Sequence, residues 1–384
     1  MAGAPAGIAE AAGHRRPIPV SSGAGTDGSP QGRTMKPIDR AADDVEPGDL
    51  PGVPRPRETL GLVGHAAATD AFGAALAAGR LHHAWLIAGA PGIGKATLAY
   101  RVARRLLAHP GGGGPAGLAV PEDDPVTGKV AGLSHPNLVA LRRHRTPGAK
   151  TLPTKISVDM VRRALDLFGS TAADSGWRIC ILDSAEDLNA NAANALLKVL
   201  EEPPPRALFL ILSHQPGRLL PTIRSRCRAL MLRPLAPEAV AAVVRGLPAP
   251  FPQPDAAALD RAVALSEGSV ARALAMLDPV TAGLVAEVET LLARARNPDW
   301  GRVLKLAETL AGRDAEARFE AAQDAVLRFV SAELDRRRDE PPARLAALVE
   351  VADRFGRAAR EAAIYNLDRR PVVLSLFGDL AEVA

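Results

Sequence analysis

Gly89-Ala-Pro-Gly-Ile-Gly-Lys95 has the spacing of a loop that wraps phosphate. Gly89, Gly92 and Gly94 let backbone amides come close to an anion, and Lys95 adds a positive charge at the start of a helix. The next position calls for a hydroxyl that ligates magnesium between the terminal phosphates, and here it is Ala96. Thr97 lies about 100° further round the helix and cannot take that place. The loop keeps the shape of a nucleotide site and lacks a metal ligand that hydrolysis uses.

A second group lies downstream. Trp177-Arg-Ile-Cys-Ile-Leu182 reads as a buried strand ending in Asp183. An acid at such a strand end holds magnesium through water, and a glutamate directly after it polarises the attacking water. Ser184 occupies the glutamate position, and Glu186 falls beyond the strand end. An Asp183 that merely caps the following turn is the ordinary alternative. The phosphate loop upstream favours the metal-site reading.

Thr222-Ile-Arg-Ser-Arg-Cys227 supplies a third group. A guanidinium is always charged and forked, so Arg226 suits the stabilisation of charge on a phosphoryl group held by a neighbouring subunit. An ordinary surface arginine beside Arg224 and Arg228 is the alternative. Basic residues also gather between Arg142 and Lys155. Arg142, Arg143, Arg145 and Lys155 are candidate contacts to DNA phosphates, which would position without reading sequence. No aromatics interleave with them to stack bases, and a solvated basic loop explains them equally.

The elements that must hold these groups follow from periodicity. Ala84–Ala88 is a compact apolar strand feeding the loop, and Lys95–Ala108 a helix with Leu98, Val102 and Leu106 on one face. Residues 110–135 read as a long irregular insertion. Val158–Phe168 and Ala190–Glu202 read as helices, the latter stopped by Pro203-Pro-Pro205. Ala207–Ser213 and Arg228–Leu232 complete the strands. Alternation of strand and helix predicts a parallel α/β sheet. After Pro234 only helical patterns remain. The expected organisation is a disordered extension over 1–57, an α/β phosphate-loop domain over 58–233, a small helical lid over 234–279 and an all-helical domain over 280–384.

Composition narrows the class. The chain has 384 residues with 47% hydrophobic and only 3% aromatic, so its cores rest on Ala, Leu and Val. A formal charge of +4 is too mild to argue for autonomous nucleic-acid binding. Two cysteines, Cys180 and Cys227, cannot form a four-ligand zinc module, and a reduced, cytoplasmic setting is expected. No apolar run approaches the roughly 20 residues of a membrane span.

Together, Gly89-Ala-Pro-Gly-Ile-Gly-Lys-Ala-Thr97, Asn194-Ala-Leu-Leu-Lys-Val-Leu-Glu-Glu-Pro-Pro204 and Leu219-Leu-Pro-Thr-Ile-Arg-Ser-Arg-Cys227 resemble the clamp-loader branch of the AAA+ proteins of bacterial replication. The likeness covers the chain from about residue 58 onward and is sharp between Arg80 and Cys227. It implies an AAA+ (RecA-like) module, a lid, and a collar that joins subunits into a heteropentamer acting on a sliding clamp and primed DNA. It also implies a stator-like role in which Arg226 serves a neighbour's ATP site and this chain hydrolyses nothing. Arg272 is the nearest match to the family's lid arginine, beside Gly89, Gly92, Gly94, Lys95, Ala96, Thr97 and Asp183 in a degenerate nucleotide site. Ser213 and His214 lie where related motors place a polar sensor. Many relatives carry a cysteine-rich zinc module after the phosphate loop; this chain has no cysteine there, so no zinc is expected. No cofactor is required on this reading, with weak ATP or ADP binding at most. An active motor subunit of the loader is the alternative, and an autonomous DNA-binding protein a third.

Overall fold

Short strands built almost wholly from apolar residues are stable only when covered on both faces. The computed structural model describes residues 49–50, 52–114, 117–143, 153, 155–169, 176–312, 315–365 and 367–383. Its strands are β1 (Ala84–Ala88), β2 (Leu138–Leu141), β3 (Arg178–Leu182), β4 (Ala207–Ser213) and β5 (Arg228–Met231). They form one sheet in the order β2-β3-β4-β1-β5, and every pairing is parallel. Every residue of β1 and of β4 is buried, as their interior positions require.

Helices α1 (Ala66–Ala77), α2 (Lys95–Ala108), α3 (Pro125–Ala131), α4 (Val158–Gly169), α5 (Ala190–Glu201) and α6 (Pro221–Ser225) complete this α/β part. Side chains alternate across the pleat, so each strand feeds two cores. Trp85 and Ile87 of β1 pack with Phe72, Leu98, Val102 and Leu106 on one face. Ala84 and Leu86 pack with Val161, Phe168, Leu196 and Phe209 on the other.

Beyond the sheet, α7 (Pro237–Arg245), α8 (Ala256–Ser266) and α9 (Val270–Leu277) surround a small core of Val240, Val244, Leu259 and Ala273. Helices α10 (Pro279–Leu292), α11 (Trp300–Leu310), α12 (Glu316–Arg336), α13 (Pro342–Tyr365) and α14 (Arg370–Val383) share a larger core that includes Val288, Leu306, Val326, Phe355 and Phe377. Among the described residues no helix is long and apolar enough to cross a membrane.

The structure departs from the sequence reading in three places. The region read as an irregular insertion contains α3, whose first turn is capped by the Asp124 carboxylate accepting from the Val126 amide at 2.8 Å. Buried Leu118 and Val130 hold this region against α2 and its neighbours. The run Leu-Val-Ala-Leu forms edge strand β2, four residues long and too short to show a period. Residues assigned to the extension also pack: Leu50 and Val53 lie against the core of α7–α9, and the Arg57 carbonyl accepts from buried Arg104 at 2.6 Å. The remainder of the extension, residues 1–48, lies outside the described residues.

Candidate functional site

Because β4 lies between β1 and β3, the ends of the strands bearing Gly89, Asp183 and Ser213 stand side by side. Open parallel sheets bind ligands at this carboxyl edge. The Gly89 amide donates to the Ser213 carbonyl at 3.2 Å, which fixes the start of the phosphate loop. Gly92 and Gly94 take φ values of 72° and 102°, a left-handed path that favours glycine. Gly94 caps α2 without a side-chain acceptor, leaving the first amides of that helix to the loop.

Lys95 is 4% exposed, and its ammonium donates to the Gly89 and Ala90 carbonyls at 2.8 and 2.6 Å. Burial lowers its pKa to about 8, against the attraction of Asp183 and Glu186. Ala96 packs its methyl against the core around α2, so the metal-ligand position is apolar. Thr97 is half-buried on α2.

Asp183 sits at the end of β3, its amide donating to the Leu141 carbonyl at 2.8 Å. Ser184 adopts φ 62°, and its hydroxyl lies 3.0 Å from His214 Nε2. Glu186 is on a 3-10 turn, Ala185–Asp187, that returns its carboxylate to the strand ends. There Oε1 accepts from the Ser213 hydroxyl and the Gln215 amide. Burial opposes its ionisation, but these hydrogen bonds win and hold the carboxyl below its ordinary range. His214 is pushed down to about 4 by burial first and by Lys95 second, so the imidazole is neutral at pH 7. Glu186 and His214 thus join Lys95 and Asp183 in one polar cluster. Their separation in sequence hid this, and the strand-end polar pair Ser213-His214 was the one available signal.

Helix α9 reaches the same loop. The Gly92 carbonyl accepts from the Val270 and Ala271 amides at 3.0 and 3.4 Å, so the first turn of α9 rests on the phosphate loop. Arg272, one residue further on, turns the other way. Its Nε and Nη2 donate to Asp324 Oδ2 on α12 at 3.2 and 3.1 Å, and Nη1 pairs with Glu267. The structure therefore brings Gly89, Gly92, Gly94, Lys95 and Asp183 together and engages Arg272 elsewhere.

Arg226 lies at the C-cap of α6, ahead of edge strand β5, with its side chain 35% exposed. Its Nη2 pairs with Glu201 Oε1 at 2.7 Å, and Nη1 donates to the Thr222 carbonyl at 3.0 Å. The adjacent Cys227 thiol is pushed up to about 11 by burial and the Cys180 thiol to about 12, and both cysteines are free. Of the basic candidates, Arg143 pairs with Asp187 at 2.7 Å and Lys155 donates to the Glu186 carbonyl at 3.0 Å. Both are tied to the 3-10 turn. Arg142 is half-buried after β2, and Arg145 lies outside the described residues. Among the described residues no group of three or more His, Cys, Asp or Glu is placed to hold a metal.

A five-stranded parallel sheet, a phosphate loop after β1, a strand inserted between that loop's strand and the acid-bearing strand, and all-helical regions after the sheet define an α/β P-loop fold. Residues 64–236 match the family described as DNA polymerase III, delta subunit. The DNA polymerase III subunit delta′ of Pseudomonas aeruginosa is 39% identical over 187 residues, 49% of this chain and 53% of the relative. The delta′ subunit of Escherichia coli K12 is 36% identical over 205 residues, 52% of this chain and 55% of its own. DNA polymerase III subunit gamma/tau of Mycobacterium tuberculosis H37Rv is 29% identical over 335 residues, 82% of this chain and 54% of the relative. The chain spans about half the length of the curated relatives it matches. Among solved structures, a gamma subunit-related protein of DNA polymerase III from Thermotoga maritima covers 82% of this chain and 99% of its own, at 15% identity and a TM-score of 0.39.

Proposed function

We propose that this chain is a delta-prime-like, non-hydrolysing subunit of the DNA polymerase III clamp loader, which acts in DNA replication by helping to place the sliding clamp on primed DNA. Residues 58–233 are its nucleotide-type module, 234–279 its lid and 280–384 its collar within a heteropentamer of loader subunits. The observation that carries the stator reading is the pair of positions flanking the loop: Ala96 turns a methyl into the core, and Ser184 is engaged with neutral His214. Neither can ligate magnesium or activate water as the ordinary residues do. Arg226, at the surface, then serves the ATP site of a neighbouring motor subunit. Nucleotide binding by this chain is weak, needs no metal, and rests on the loop amides and Lys95.

The active-motor alternative draws on one feature, the ionised Glu186 carboxylate near Lys95. As a base it would have to give up the Ser213 and Gln215 hydrogen bonds that lower its basicity. The deciding experiment is ATP turnover by the pure chain and by the reconstituted loader. The expected result is negligible turnover by the chain alone. Arg226→Ala should slow the assembly by about 10³-fold or more, the scale of a trans arginine, with subunit association intact. Brisk hydrolysis by the lone chain that disappears on Glu186→Gln would establish the motor instead.

A further inference from the structure

Arg226 is held by a carboxylate from a different element, and that carboxylate stands where a helix disfavours it. Glu201 is the last residue of α5, with Glu202 as its C-cap. The C-terminal end of a helix carries a partial negative charge, so two consecutive acids there break the usual preference for cations. A local rule broken without a local benefit points to a function elsewhere. The compensation comes from α6: Arg226 Nη2 reaches Glu201 Oε1 at 2.7 Å, while Nη1 donates to the Thr222 carbonyl at 3.0 Å and lies 3.5 Å from Ser225 Oγ. Three contacts from two helices therefore set the pose of one guanidinium. The Pro203-Pro204 pair ends α5 just beyond Glu201, and Leu200 of α5 shares a buried core with Ile223 of α6, three residues before Arg226.

We propose that Glu201 is a positioning residue for Arg226: it orients the guanidinium at the subunit surface before a neighbour's phosphate arrives. The inference rests on the reading of Arg226 as a trans arginine. A free arginine side chain must lose rotamer freedom to act, and a fork already held by a carboxylate behind it loses less. Glu201 does not touch the phosphate. It restricts the residue that does, so its removal lowers the rate of the chemical step and leaves ATP binding by the neighbour alone.

The size of the effect is bounded by exposure. Glu201 is 49% exposed and Arg226 35%. An exposed ion pair is worth at most a factor of about five, and salt screens it.

The test uses the reconstituted loader with its ATPase subunits and primed DNA. Glu201→Gln is expected to lower kcat for ATP about two- to fivefold with KM unchanged, and Glu201→Asp to recover part of the loss. In the Arg226→Ala background, Glu201→Gln should add nothing. An equal loss in both backgrounds would make Glu201 a structural residue of the α5 end and overturn the inference. So would an unchanged kcat for Glu201→Gln in a loader that Arg226→Ala slows. If Arg226→Ala itself leaves turnover unaltered, the trans-arginine reading fails first and the positioning role falls with it.

Discussion

At the scale of single residues, the phosphate loop is occupied by its own lysine. Lys95 points its ammonium into the Gly89 and Ala90 carbonyls, and burial brings its pKa to about 8. An anion at the loop needs that proton in place, so affinity is full below this pKa and is lost as pH rises through it. Between pH 7 and 9 the affinity for ADP should weaken about tenfold for a single proton of pKa near 8. Lys95→Met should bind more weakly and show a flat profile over the same range. Titration calorimetry at both pH values checks this, and an unaltered wild-type affinity would exclude Lys95 from the anion contact. Glu186 and His214 belong to the same scale. The residue types were visible in the sequence, but only the return of the 3-10 turn puts a carboxylate against Ser213 and Gln215.

At the scale of elements, strands and long helices were legible because pattern and burial agree. β1, α2 and β4 occupy the residues expected from periodicity, since each is an apolar run bounded by loop or capping residues. α3 and β2 were not legible. One is a short helix signalled only by Asp124-Pro125, the other a four-residue edge strand, and both exist through packing on neighbours. The junction between the loop and α9 is of the same kind. A methyl group at Gly92 would collide with Ser269 Oγ and the Ala271 side chain, at a φ of 72° that itself disfavours it. Gly92→Ala should therefore destabilise the fold by about 1–3 kcal/mol through overpacking and backbone strain. Chemical denaturation against the parent protein measures this, and a neutral substitution would show that α9 yields freely.

At the scale of the molecule, α9 links two regions that the sequence presents as separate. Its first turn bonds to the Gly92 carbonyl, while Arg272 grips Asp324 on α12. The loop is thereby coupled mechanically to the C-terminal helices through one short helix. Asp324→Asn weakens a partly exposed charge pair, so its cost to global stability should be about 1 kcal/mol or less. Its local effect is the sharper signature: the Val270 amide, bonded to Gly92, should exchange its hydrogen several times faster. Unchanged protection at Val270 would mean that the grip on α12 does not steady α9 against the loop.

Spacing and residue type alone determined the α/β class of the module, the alanine at 96, the serine at 184 and the arginine at 226, because those features are local in the chain. Tertiary structure decided where the charges go. Glu201 meets Arg226 across 25 residues and Arg272 meets Asp324 across 52. Glu186, just after β3, reaches Ser213 because β4 pairs in parallel with β3. Electrostatic partners depend on distance in space, and a linear pattern of apolar residues fixes each element's face without stating which element lies opposite.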